Sequence, residues 1–241
     1  MRKVLAGIMI FDVVMGILCL VVGTRQYAGD RQLDIREEKI PELRETLAGD
    51  VNCKEELAQK IALTFDDGPH PKYTELLLDG LKERNVTATF FVTGENAENY
   101  PEIIRREQEE GHLIGNHTYS HIQLTSRNRE TFREELVRTN EILEEITGEK
   151  VSFVRPPYGS WDKSFEKELN MFPVLWNIDP LDWCSHNAEC IAARVVEKAG
   201  DGDIILMHDY YDTSVIAALE VIDALQKEGF RFVTVEELLF D

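Results

Sequence analysis

Two adjacent carboxylates, Asp66 and Asp67, end the apolar run Ile61–Phe65, and Gly68-Pro69 follows at once. Carboxylates at the end of a buried strand are costly to desolvate unless a metal or a catalytic role offsets that cost. Asp67-Gly68 taken alone would also suit a turn or a helix N-cap. A second signal is His117-Thr118-Tyr119-Ser120-His121. If that turn is helical, both imidazoles leave one face and reach a single metal; taken alone, the pair reads as two surface histidines. Arg155-Pro156-Pro157-Tyr158-Gly159 follows Ser152-Phe153-Val154. It is a rigid turn that would fix a guanidinium and present backbone N–H groups at a strand mouth. Asp179, Asp182 and Trp183 close a fourth run, Trp176-Asn177-Ile178, and His208-Asp209 close a fifth, Ile204–Met207. Two histidines and an aspartate with open positions are what a hydrolytic metal needs to bind and activate water.

The elements that must carry these residues alternate. Apolar segments predict strands near 60–65, 87–92, 112–115, 151–154, 173–178, 203–207 and 230–233. Helical patterns fall near 71–84, 100–110, 128–147, 162–170, 188–199, 213–228 and 235–239. Pro71 suits a first helical turn, and Phe132, Leu136, Leu143 and Ile146 stripe a later helix. Such alternation implies a parallel sheet, closed or nearly closed into a barrel. All five signals then fall at strand carboxyl ends, the rim where such folds assemble their sites.

The chain of 241 residues, 43% hydrophobic, can bury a full core. Its formal net charge of −19 opposes binding to nucleic acid or to anionic membrane surfaces. Val4–Gly23 is apolar apart from Asp12, and Arg2-Lys3 precede it. Residues 1–24 therefore read as an uncleaved transmembrane signal-anchor, with a cleaved signal peptide as the alternative. Residues 25–57 read as a charged stalk or linker and 58–241 as the catalytic body. Of four cysteines, Cys19 lies in the apolar run and Cys53, Cys184 and Cys190 beyond it. Cys184 and Cys190 are expected to close a small disulfide loop; Cys184-x-His186-x3-Cys190 also resembles a zinc half-site without a fourth partner. His112 reads as structural, and His70 lies near the mouth of the first motif.

The motifs Thr64-Phe65-Asp66-Asp67-Gly68-Pro69, His117-x3-His121, Arg155-x-Pro157-Tyr158, Asp179-x-x-Asp182-Trp183 and Leu206-x-His208-Asp209 resemble, in order, those of the NodB-homology polysaccharide deacetylases. The resemblance covers about residues 58 to 240. It implies an α/β fold, a distorted, incompletely closed (β/α) barrel of about seven parallel strands. It implies Asp67, His117 and His121 as ligands of zinc or another divalent metal such as cobalt. Asp66 would be the general base held by Arg155, and His208 the general acid oriented by Asp182. The Tyr158 backbone N–H would face the oxyanion, and Trp183 and Leu206 would line a pocket for the acetyl methyl. The residue after the fourth-motif tryptophan is Cys184 where the family usually has a basic one, which leaves that loop's shape open.

The function implied is a monomeric, membrane-tethered hydrolase on the cell-wall side. It would remove N-acetyl groups from N-acetylglucosamine residues of a glycan, peptidoglycan being favoured because a short stalk holds the enzyme against the wall. Chitin oligomers and O-acetylated xylan stay open as substrates. A glycan-binding module without turnover would be expected to lose Asp66 or His208, and a metal-independent cyclising relative to lose Asp67; all three are present. The apolar run also generates a test: mass spectrometry of protein extracted from membranes should recover the peptide that begins at Met1. A soluble chain that starts after Gly23 would refute the signal-anchor.

Overall fold

The computed structural model describes residues 58–240. The apolar run Val4–Gly23, the stalk and Cys53 lie outside the described residues. Among the described residues no helix is long and apolar enough to cross a membrane.

Strands and helices alternate in chain order. They are β1 (Gln59–Asp66), α1 (Tyr73–Glu83), β2 (Thr89–Val92), α2 (Gly94–Asn99), α3 (Pro101–Glu109), β3 (Leu113–Asn116), α4 (Arg129–Thr147), β4 (Phe153–Val154), α5 (Ser164–Leu169), β5 (Phe172–Pro173), α6 (Ala188–Val196), β6 (Asp203–His208), α7 (Asp212–Lys227), β7 (Phe230–Phe232) and α8 (Val235–Phe240). The strands form one seven-stranded parallel sheet in the order β5-β4-β3-β2-β1-β6, with β7 on the first residues of β1. The sheet is curled and open, a half-barrel.

Its strands are short and apolar because both faces are covered, the pattern of parallel sheets generally. In β1, Ile61, Leu63 and Phe65 enter one core with Leu77, Leu78 and Leu81 of α1 and Ala218, Val221 and Ile222 of α7. Ala62 points the other way, toward Phe91, Phe153 and Val235. Helix α4 buries the predicted stripe of Phe132, Leu136 and Leu143. It stops at Gly148, whose φ of 74° allows its N–H to bond the Glu144 carbonyl at 2.9 Å.

Three expectations change. The strand predicted at 173–178 is only Phe172–Pro173. Pro173 has no N–H for a ladder, and the chain leaves β4 to reach β6, where Ile178 bridges Ile205. Helix α2 was not foreseen: six residues with only Gly94 and Ala97 buried carry too little periodicity to show. The helix expected from Pro71 begins at Tyr73, with Pro71 in the turn that the Thr74 N–H to His70 carbonyl bond closes at 3.1 Å.

Strand β3, which delivers His117, has room for no side chain at Gly115. A Cβ there would collide with the Phe91 ring and crowd the Phe153 carbonyl. Gly115→Ala is therefore expected to destabilise the protein by about 1–3 kcal/mol, read as a lower urea midpoint with an unchanged slope. An unchanged midpoint would show that β3 can shift freely.

Candidate active site

Asp66 is the last residue of β1, and the β1–β6 register sets it directly opposite His208. Its Oδ1 accepts from Arg155 Nη1 at 2.9 Å. Arg155 is fully buried. Its Nε donates to the Val174 carbonyl at 3.1 Å and its Nη1 also to Thr64 Oγ1 at 2.6 Å. The guanidinium lies 4.3 Å from the Phe91 ring centre. Burial pushes its pKa down and Asp66 opposes that shift.

Asp67 leaves the strand with φ of 73°, which turns its carboxylate away from that of Asp66 and toward two imidazoles. Its Oδ1 lies 3.4 Å from Nε2 of His117 and 3.4 Å from Nε2 of His121. The three ligand atoms fall within 4.8 Å of one another. The Asp67 Oδ1 is buried and accepts no hydrogen bond among the described residues. His117 Nδ1 is held by the Arg155 carbonyl at 2.6 Å, so Nδ1 carries the proton and Nε2 offers its lone pair. Burial pushes the His121 pKa down, which keeps that imidazole neutral. Burial pushes the Asp67 carboxyl up, but His117, then His121 and His208, outweigh it and leave the value at about 2. A carboxylate and two imidazole nitrogens spaced in this way form a metal-binding triad. Ligands about 2.0–2.1 Å from one tetrahedral ion stand about 3.4 Å apart, the spacing seen between Asp67 Oδ1 and each histidine. The buried His117 forms its floor, while Asp67 and His121 keep about a third of their side-chain exposure, so the triad opens to solvent.

The convergence of the histidines does not come from a helical turn, as the His-x3-His spacing suggested. Residues 117–121 are irregular, and both Thr118 and His121 take positive φ, 63° and 56°. Asn116, which the sequence reading passed over, sets this loop. Its Oδ1 accepts from the Thr118 N–H at 2.8 Å, and its Nδ2 donates to the Leu136 carbonyl and to Asn140 Oδ1. A polar residue at the end of an apolar strand, directly before the histidine motif, was the available signal.

His208 ends β6. Its Nδ1 lies 2.9 Å from Asp182 Oδ1, and its backbone N–H donates to Asp182 Oδ2 at 2.8 Å. Ser214 Oγ, also unforeseen, donates to the same Oδ2 at 2.6 Å. Burial pushes the His208 pKa down, but Asp182, with smaller contributions from Asp66 and Asp67, raises it to about 9. Asp179 is not part of this pair; it accepts the Leu181 N–H at 2.8 Å and shapes the turn. Asp209 turns inward, fully buried, accepts from Thr74 Oγ1 and packs where a Cβ on Gly68 would collide with it.

Tyr158, at φ of 58°, sets its exposed ring edge-on to His121 at 5.0 Å. Trp183 is exposed on a short 3-10 turn, and Leu206 is buried in β6 opposite Thr64. His112 lies in the core, its Nδ1 accepting from the Ala88 N–H at 3.1 Å. His70 is half-buried and stacks on Tyr73 at 4.5 Å. The expected disulfide is absent: Cys184 and Cys190 are free and exposed. The Cys184 thiol points back to the Leu181 carbonyl at 3.3 Å, and Cys190 lies in the first turn of α6. Nor do Cys184, His186 and Cys190 gather as a metal site; among the described residues the only such group is Asp67, His117 and His121.

This arrangement can be set beside known proteins. Residues 54–174 match the family model described as polysaccharide deacetylase. The peptidoglycan-N-acetylmuramic acid deacetylase PdaC of Bacillus subtilis is 43% identical over 178 residues, which are 74% of this chain and 38% of that protein. Its solved structure aligns with a TM-score of 0.73 over 76% of this chain and 90% of the solved one. A peptidoglycan-N-acetylglucosamine deacetylase of Bacillus cereus is 41% identical over 186 residues, 74% of this chain and 68% of that protein. A family 4 acetyl xylan esterase from Clostridium thermocellum, solved with a cobalt ion, is 34% identical with a TM-score of 0.70, over 75% of this chain and 90% of that one. The chain thus spans between about two fifths and two thirds of the two bacillar relatives' lengths. By family model, identity and fold together, the chain belongs to the polysaccharide deacetylase family.

Proposed function

We propose that this protein is a metal-dependent deacetylase of a cell-wall glycan, with the N-acetylglucosamine residues of peptidoglycan as the favoured substrate. One observation carries the reading. The metal triad, the Asp66–Arg155 pair and the His208–Asp182 pair share one rim, with Asp66 and His208 opposite each other in register. The relatives support the substrate class, since the two bacillar proteins are named for peptidoglycan. The apolar run ahead of the stalk supports an enzyme tethered to the cell membrane and acting on its outer side.

Bound by Asp67, His117 and His121, zinc or cobalt would supply Lewis acidity toward the acetyl carbonyl and make a water more acidic. The remaining steps fall to the chain. Asp66 takes the proton of the attacking water on Oδ2, the oxygen nearer the triad, while Arg155 holds Oδ1 in place. The Tyr158 backbone N–H steadies the charge that develops on the carbonyl oxygen. His208 enters as the imidazolium and hands its Nε2 proton to the departing amine, while Asp182 grips Nδ1 and favours the charged ring. Trp183 and Leu206 give the acetyl methyl an apolar seat.

Two tests follow from this division of labour. Chelation should abolish acetate release, and zinc or cobalt should restore it; full activity in a metal-stripped sample would refute the reading. Asp67→Ala should lose the metal, whereas Asp66→Asn should keep it and lose about 10²–10⁴-fold in kcat, with bound metal measured by mass spectrometry. Equal metal loss in both variants would mean that the two carboxylates share the ion.

The second test is the pH profile. The rate needs protonated His208, so it must fall as pH rises through that group's pKa. A bound cation lowers this value from its metal-free position. The basic limb should therefore lie between about 6.5, the ordinary imidazole value, and about 9. Asp182→Asn should move that limb toward lower pH and slow turnover while the metal stays bound. A limb that does not move would remove His208 from the role of proton donor.

A further inference from the structure

Asp182 orients the imidazole that gives up the proton, so its own carboxylate has to be fixed by something other than that imidazole. Among the described residues three donors reach it. His208 Nδ1 lies 2.9 Å from Oδ1, the His208 backbone N–H reaches Oδ2 at 2.8 Å, and Ser214 Oγ reaches Oδ2 at 2.6 Å. Two of the three belong to His208 itself. They keep the carboxylate beside that residue, but ring and carboxylate could still tilt together about the end of β6. Ser214 supplies the one hydrogen bond to the carboxylate from elsewhere in the fold.

The backbone under Asp182 gives it little independent support. Asp182 opens a 3-10 turn of three residues that Leu181 enters at φ of 58°, and the rest of that turn, Trp183 and Cys184, is exposed. Ser214 stands on firmer ground. It lies in the first turn of α7, has no solvent exposure, and belongs to a helix that buries Val215, Ala218, Val221 and Ile222 in the core. A hydroxyl has one proton to donate, and here Asp182 Oδ2 takes it. Asp182 is itself only 2% exposed, so bulk water cannot stand in for a lost donor.

We propose that Ser214 is a positioning residue for proton transfer: it ties Asp182, and through Asp182 the His208 ring, to the core helix α7. The proposal rests on the reading of His208 as the general acid of a glycan deacetylase. Ser214 is fully buried and touches no substrate, so its effect passes through Asp182. A ring held less well delivers its proton less well, and only a leaving group that needs the proton feels the difference.

The test uses the full chain in detergent, zinc-loaded, with two substrates. One is an N-acetylglucosamine oligomer, whose amine must be protonated to leave; the other is nitrophenyl acetate, whose phenolate leaves without a proton. Ser214→Ala should lower kcat on the oligomer by about 10–100-fold with KM and bound zinc unchanged, while the ester slows by less than about twofold. Ser214→Thr, which keeps the hydroxyl, should recover most of the loss. In an Asp182→Ala background the Ser214→Ala change should cost the oligomer less than about twofold more, since nothing remains for the hydroxyl to hold. The His208 Nδ1–H proton, identified by NMR through its loss in Asp182→Ala, should be sharp in the parent and broadened by exchange in Ser214→Ala. Should Ser214→Ala not fold, Ser214→Cys, close in shape with a weaker donor, carries the same comparisons. An unchanged kcat, an equal loss on both substrates, or full additivity with Asp182→Ala would overturn the proposal. Failure of the deacetylase reading has a different sign: the proton resonance responds as stated, yet the zinc-loaded parent releases acetate from no glycan.

Discussion

A guanidinium without solvent contact is tolerable only if its N–H groups find acceptors and its charge finds a partner, and the rim of this protein is arranged around one that does. Arg155 reaches across the half-barrel to Asp66 and Thr64 on β1 and to the carbonyls of Val174 and Leu175 beyond β5. Its own carbonyl holds His117 Nδ1. One residue thus fixes the carboxylate of the first motif, sets the tautomer of a metal ligand and ties the irregular segment after β5 to the sheet. Removing one member of such a buried pair strands the other charge, at a cost of about 3–5 kcal/mol. The pair therefore fixes Asp66 in place, with Oδ1 on Arg155 and Oδ2 turned to the triad, 3.7 Å from His117 Nε2.

The division between the neighbouring carboxylates follows from backbone geometry. Asp66 still belongs to β1 and pairs with Arg155, its other oxygen 3.7 Å from His117 Nε2, whereas Asp67 takes a left-handed φ and sits between both histidines. Asp67, Thr118, His121, Tyr158 and Leu181 all have positive φ without being glycine. Such conformations cost of order 1–3 kcal/mol each and persist where the surrounding contacts over-determine them. Here those contacts include Asn116 beneath Thr118, Asn96 on the Asp67 carbonyl and Asp179 on the Leu181 N–H. At the far end of the rim, Ser214 and the His208 backbone N–H hold Asp182 so that it can hold the imidazole. Asp66, His117 and His208 are thus each held by hydrogen bonds from the scaffold, while Asp67 Oδ1 is left without a donor between the two imidazoles.

Local pattern along the chain suffices for the alternation of strands and helices, for the parallel sheet and for four of the five polar motifs at strand carboxyl ends; the Asp179-x-x-Asp182-Trp183 motif follows only the isolated bridge at Ile178. These are legible because they depend on hydrophobic period and on punctuation by glycine and proline, both properties of neighbours along the chain. The stripe of Phe132, Leu136 and Leu143 and the pure apolar run before His208 are of this kind. Helix α2 and the truncated β5 were not, because a six-residue helix and a strand interrupted by Pro173 carry too little periodicity. Only the tertiary structure decided that His117 and His121 meet through a left-handed loop and not a helical turn, since that path depends on Asn116 bonding to α4. It alone decided that Cys184 and Cys190 stay apart as thiols, because proximity in sequence does not fix the direction of a side chain. And it alone revealed Ser214, which reaches Asp182 from α7, an element distant in the chain.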